Sequence, residues 1–170
     1  FTAASTVKVP VAMLYYDKIN NGELTLESKL KYTKDCYEAG GGTTASTYKV
    51  GSNIPIGFLL EQAIVNSDNT AVNILIKNLG WDQYRVDMTK YTDEEVLPEF
   101  YDGNVTFAGY GYDLLTYLYD NKDSYPELVE NMKKSSGGQY LKKYITQYDV
   151  AHKYGSYNGN VHDYGIVFGQ

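Results

Sequence analysis

Apolar residues crowd into dense runs through much of the chain and then switch to alternation near its end. Residues 7–20 (Val-Lys-Val-Pro-Val-Ala-Met-Leu-Tyr-Tyr-Asp-Lys-Ile-Asn) are apolar on nearly every helical face. They predict a mostly buried helix closed by Asn21 and Gly22. Pro10 fits only in or near the first turn, where its missing N–H would have been an orphan donor. That requirement sets Ser5 at the mouth of the helix. Residues 55–65 have the apolar spacing of a buried helix opening with Pro55, and 70–79 predict another, ended by Gly80. Helical character returns over 105–121 through Leu114, Leu115, Tyr117 and Leu118, and a short helix is expected near 126–134. The runs Val150–Ser156 and Val161–Phe168 then read as strands joined by Tyr157-Asn158-Gly159-Asn160, because Asn-Gly is the strongest short hairpin signal. Residues 23–50 read as irregular and 92–104 as an acidic loop. The run Gly40-Gly41-Gly42 reads as a flexible loop: no strand leads into it, and no Gly-Lys-Ser/Thr follows to make a phosphate cradle.

Composition narrows the classes. At 170 residues, 43% hydrophobic and 21% charged, the chain fits a single domain, residues 1–170, with a real core and neither repeat nor linker. A net charge of −6 with one arginine, Arg85, argues against a nucleic-acid partner, which would need clustered cations. No apolar run approaches the roughly 20 residues that span a bilayer. The N-terminus also lacks the basic start and apolar core of a signal peptide. Cys36 is the only cysteine, so an internal disulfide is excluded and a structural thiol is expected. No His/Cys/carboxylate cluster has metal-ligand spacing, and no cofactor is implied. The nineteen tyrosines read as partly buried packing with wet hydroxyls.

Three short segments carry chemistry. Residues three apart on a helix share a face, so Ser5 Oγ and Lys8 Nζ can meet. A serine hydroxyl is a poor nucleophile until a base takes its proton, and a desolvated lysine can be that base. The unsatisfied N–H of Ser5 at the helix start could hold an oxyanion. In Ser67-Asp68-Asn69, Asp68 or Asn69 caps the next helix. Ser67 could relay a proton to a leaving nitrogen, and Asn69 could hydrogen-bond the substrate or Lys8. Lys153 is by default a strand-edge cation; beside Ser67 it would favour proton movement through that hydroxyl and attract a carboxylate. Gly155 would allow close backbone approach, with the Ser156 N–H completing an oxyanion hole. A Ser-His-Asp triad would need His152 or His162. His162 falls opposite Gly155 in the hairpin and is a candidate auxiliary base or ligand, whereas His152 should face away.

Together, Phe-Thr-Ala-Ala-Ser5-Thr-Val-Lys8, Ser67-Asp68-Asn69-Thr-Ala-Val-Asn73, and Lys153-Tyr154-Gly155 followed by Asp163-Tyr-Gly-Ile-Val-Phe resemble the class A β-lactamase family and its penicillin-binding-protein relatives. The motifs occur in family order, and the likeness runs along nearly the whole chain. It implies an α+β fold: a helical subdomain packed on a five-stranded antiparallel sheet, with the site in the cleft between them. It also implies roles. Ser5 would be the acylated nucleophile, Lys8 its base, Ser67 the proton relay, Asn69 a substrate ligand and Lys153 an electrostatic anchor, with the N–H groups of Ser5 and Ser156 as the oxyanion hole.

Three departures shape the expectation. The family's Glu-x-x-Leu-Asn segment, whose glutamate activates the deacylating water, has no counterpart over 88–107, where Glu94, Glu95 and Glu99 occur without that context. Tyr154 stands where the family has Ser or Thr to bind a β-lactam carboxylate. The family's N-terminal helix and first two strands, and its last strand and C-terminal helix, have no counterpart here, so the sheet is expected to be incomplete and to rely on missing segments or another chain. The expected activity is a serine hydrolase that acylates Ser5 with a peptidoglycan-derived peptide, an amide or a β-lactam, and deacylates slowly. Alternatives are a non-catalytic wall-binding module that keeps the cleft, and an active class A β-lactamase with an atypical glutamate. The resemblance implies an extracytoplasmic location.

Overall fold

The computed structural model describes residues 1–39, 41–137 and 139–169, so Gly40 of the glycine run lies outside the described residues. A 3-10 turn, Ala4–Val7, runs straight into α1 (Lys8–Asn20). Then follow β1 (Lys29–Lys31), α2 (Thr44–Thr47), β2 (Asn53–Pro55), α3 (Ile56–Val65), α4 (Asn69–Leu79) and α5 (Gln83–Met88). The chain continues through α6 (Ala108–Asp120) and α7 (Pro126–Lys134) to β3 (Asp149–Tyr157) and β4 (Asn160–Phe168). The class is α+β: helices gather around α1, while the β3–β4 hairpin packs on α7 and on the turn that holds Ser5. Among the described residues the strands form two antiparallel pairs, β1 with β2 and β3 with β4.

The apolar pattern explains the centre of this arrangement. Val9, Val11, Ala12, Met13, Leu14, Tyr15 and Tyr16 are all buried, because a helix apolar on every face can be satisfied only inside the core. Pro10 is the third residue of α1, within the turn whose N–H groups have no helical partner. The cores of α3 (Ile56, Leu59, Leu60, Ala63 and Ile64) and α4 (Ala71, Ile74, Leu75) complete the interior.

Several elements differ from the sequence reading. Residues 23–50 are not wholly irregular: β1 pairs with β2 with Leu30 opposite Ile54, and α2 is a single turn. Three-residue strands are too short to show alternation. Helix α5 was not predicted, because six residues hold less than two helical turns of pattern. The hairpin turn is two residues rather than four. Asn158 (φ 48°) and Gly159 (φ 81°) both take positive φ, as a type I′ turn requires, and this lets each strand run one residue further. Cys36 is fully buried, with Sγ 3.3 Å from Thr33 Oγ1.

Candidate active site

Ser5 sits in the 3-10 turn three residues before α1 begins, and the chain reaches it through Ala4 in the left-handed region at φ 51°. An alanine there is strained by about 1–3 kcal/mol and persists only where the surroundings over-determine it. Those surroundings are specific. Ala3 N–H donates to Asn104 O (2.8 Å), and Asn104 Nδ2 donates to Ala4 O (3.0 Å). The 103–105 segment is itself held by buried Arg85, whose Nη2 donates to Gly103 O (2.5 Å) and Val105 O (2.9 Å) while the guanidinium lies over the Phe100 ring. Arg85 thus shapes the approach to Ser5 through two backbone steps, a link no local motif could reveal.

Lys8 is the first residue of α1, so the helix that must be buried carries its lysine inward, to 2% exposure. Nζ donates to Ser67 O (2.6 Å), Ser67 Oγ (3.2 Å) and Asn69 Oδ1 (2.7 Å), which uses all three ammonium protons. Burial first, and the charge of Lys153 second, push its pKa down from 10.5 to about 7. The partial positive charge of a helix N-terminus acts in the same direction. Among the described residues Ser5 Oγ has no hydrogen-bond partner, so the direct Ser5–Lys8 bond is not formed in this resting arrangement, although both side chains line one cleft.

The 67–69 segment is a strained turn between α3 and α4. Ser67 has φ 56°, and Asp68 is the N-cap of α4, its Oδ1 accepting from Ala71 N (2.9 Å). Asp68 Oδ2 accepts from Thr44 N (2.9 Å), fastening α2 to the turn. Gly41 and Gly42 lie directly against it: a Cβ at Gly41 would stand 2.7 Å from Ser67 O, and one at Gly42 would run into Asp68 Oδ2. Gly41 and Gly42 are therefore not part of a flexible loop, as composition suggested, but a close-packed seat for the motif. Asp68→Ala leaves two buried N–H donors without partners and is expected to cost about 2–4 kcal/mol in denaturant unfolding. Asp68→Asn, which keeps an acceptor, is expected to lose less.

Lys153, in β3, is fully buried and donates to Ser67 Oγ (3.1 Å) and Tyr154 O (2.9 Å). Burial lowers its pKa to about 8. Ser67 Oγ thus stands between two cations, Lys8 and Lys153, brought together from positions 145 residues apart in sequence (153 − 8). Gly155 lies where a Cβ would come within 2.7 Å of Ser5 N, so glycine is what lets β3 close on the Ser5 backbone. Ser156 follows it on the cleft wall. Tyr154 belongs to the other face of the strand and stacks on Tyr140 (4.7 Å, 13°), and His152 on that same face pairs with Asp163 (2.7 Å).

The cleft has a volume of about 380 Å³ and is walled by Ser5, Lys8, Asn69, Asn73, Ser156 and the aromatic residues Trp81 and Tyr157, among others. Glu38 lines it too, a residue that sequence reasoning missed. Its carboxylate accepts from Asn69 Nδ2 (3.0 Å) and Asn73 Nδ2 (2.9 Å). Glu94, Glu95 and Glu99 are exposed and lie off the cleft lining. His162 does sit opposite Gly155, but its Nε2 lies 2.8 Å from Thr2 O and its ring packs on Phe1 (4.8 Å). It faces a second, more apolar cavity of about 430 Å³ whose lining includes none of Ser5, Lys8, Ser67, Asn69 and Lys153.

The model of the Beta-lactamase enzyme family matches residues 1–170. A comparison with curated protein sequences finds no match. Among solved structures, PBP-A shares 24% identity, with a TM-score of 0.85 over 99% of this chain and 67% of its own. A mutant of PBP-A, in an acyl-enzyme complex with penicillin G, shares 26% identity, with a TM-score of 0.86 over 98% of this chain and 67% of its own. A β-lactamase from Sphaerobacter thermophilus shares 23%, with a TM-score of 0.81 over 99% of this chain and 70% of its own. The chain spans about two thirds of the length of each.

Proposed function

Because the chain belongs to the beta-lactamase enzyme family, we propose that it is a serine hydrolase that forms an acyl-enzyme on Ser5 and breaks it down slowly. The observation that carries this reading is the convergence of Lys8 Nζ and Lys153 Nζ on Ser67 Oγ, at 3.2 and 3.1 Å, with Lys8 lining the same cleft as Ser5. In the proposed cycle Ser5 Oγ attacks a carbonyl carbon as neutral Lys8 takes its proton. The N–H groups of Ser5 and Ser156 bind the oxyanion. The proton then passes through Ser67 to the leaving nitrogen, and the C–N bond breaks. Lys153 stabilises the charge that develops on Ser67 Oγ and receives the substrate carboxylate. Asn69 hydrogen-bonds the acyl side.

The substrate class is a β-lactam or a peptidoglycan-derived peptide, supported by the likeness to a protein trapped with penicillin G. The same reading locates the protein outside the cytoplasm, where such peptides occur. Slow deacylation is supported by the position of Glu94, Glu95 and Glu99, none of which lines the cleft. A chromogenic cephalosporin is expected to give a burst of about one equivalent, followed by turnover at least ~10³-fold below the roughly 10 s⁻¹ typical of enzymes. Sustained rapid turnover would overturn slow deacylation. The orientation of Tyr154, stacked on Tyr140 away from Lys153, favours one second reading, a binding module that kept the cleft and lost the chemistry. Complete absence of a burst, with the cephalosporin still bound, would support it.

A further inference from the structure

Glu38 is the one carboxylate among the described residues that line the cleft, and it is built into place. Its backbone is fastened to α4: Glu38 N donates to Thr70 Oγ1 (3.1 Å), and that hydroxyl donates to Glu38 O (2.9 Å). Its side chain spans Asn69 and Asn73, one helical turn apart on the cleft face of α4. The cleft cation, Lys8, is buried and spends its protons on Ser67 and Asn69, leaving the exposed carboxylate without a direct counter-charge.

This position bears on the acyl side of any substrate. Asn69, assigned above to the acyl side of the substrate, donates from Nδ2 to Glu38. An acyl donor that offers only an acceptor must compete with a carboxylate for that N–H, and a donor bearing its own carboxylate is repelled as well. An acyl donor that carries an ammonium group replaces what it takes, giving Glu38 a charge-assisted hydrogen bond. The cleft also presents the exposed rings of Trp81 and Tyr157, whose faces attract cations.

We propose that Glu38 is a specificity residue that selects acyl donors bearing a positively charged amine near the acyl carbonyl and disfavours those bearing a carboxylate there. The proposal rests on the Ser5 acyl-transfer reading, and its test separates the two. Penicillin G, ampicillin and carbenicillin share a nucleus and differ next to the side-chain carbonyl, with no charge, an ammonium and a carboxylate respectively. Second-order acylation rates followed by intact mass at about pH 6.5, below the roughly 7.7–8.0 of an α-amino group, are expected to rank ampicillin above penicillin G above carbenicillin, with about tenfold between the extremes. Glu38→Gln is expected to bring the three within about twofold, and Glu38→Lys to reverse the order; an exposed charge pair is typically worth a few-fold. An unranked wild-type series, or an unchanged ranking in Glu38→Gln, overturns the proposal. Equilibrium binding of the same three compounds to the Ser5→Ala protein gives a readout independent of acylation. The same ranking there, with no covalent adduct in the wild type, would uphold the selectivity and sink the chemistry; its absence would overturn the selectivity.

Discussion

Ser5→Ala is expected to abolish covalent capture of penicillin G and of a fluorophosphonate probe, lowering the acylation rate by about 10⁶, as removal of a serine nucleophile does elsewhere. The reason is chemical rather than structural. Alanine keeps the backbone N–H proposed for the oxyanion and removes only the attacking oxygen. The Ser5 side chain is half-buried and without a hydrogen-bond partner among the described residues, so its loss is expected to change unfolding stability by no more than about 0.5 kcal/mol. Labelling and thermal unfolding measured on the same preparation separate the two effects. Labelling of Ser5→Ala at the wild-type rate would move the nucleophile elsewhere.

The next largest effect is expected at Lys8. Lys8→Met should slow acylation by about 10²–10⁴, the usual contribution of a positioned base. In the wild type, acylation is expected to rise with pH as Lys8 loses its proton near 7 and to fall as Lys153 loses its charge near 8, giving a narrow bell. The same depressed pKa sets a stability signature. The unfolded lysine keeps its proton up to about 10.5, the folded one only to about 7. Between those values the unfolded state binds more protons, so stability rises with pH; below about 7 the penalty of the buried charge is fully present. The stability of the wild type relative to Lys8→Met should therefore increase from pH 7 towards pH 10. A flat difference would mean that Lys8 is not a depressed lysine, and the proposed base would lose its physical ground.

What sequence could supply here was set by distance along the chain. Ser5 and Lys8 are three residues apart at the start of a helix that is apolar on all sides, so their nearness and the burial of the lysine were legible in one segment, although no direct bond joins them. Asp68 as the cap of α4 and the Asn158-Gly159 turn were legible for the same reason, each being a local hydrogen-bonding or φ requirement. Glu38 was not, because it is a lone glutamate in a stretch without pattern and is positioned by Thr70, Asn69 and Asn73 more than 30 residues later. The support of Ser5 by Arg85 was hidden likewise, since it passes through the carbonyls of 103–105 and the amide of Asn104. Gly41 and Gly42 carried a composition signal that points to flexibility, yet their neighbours are the backbone of Ser67 and the carboxylate of Asp68. Glycine there is required by contact, and contact with a distant turn has no local signature.

The central claim is that a penicillin becomes attached to Ser5 and stays there. Intact-mass analysis of the wild-type protein through a time course with penicillin G, followed by peptide mapping, tests it most directly. The expected result is a gain of one intact penicillin per chain, mapped to the peptide containing Ser5 and persisting after free antibiotic is removed. Rapid hydrolysis of penicillin with no Ser5 adduct at any time would contradict it.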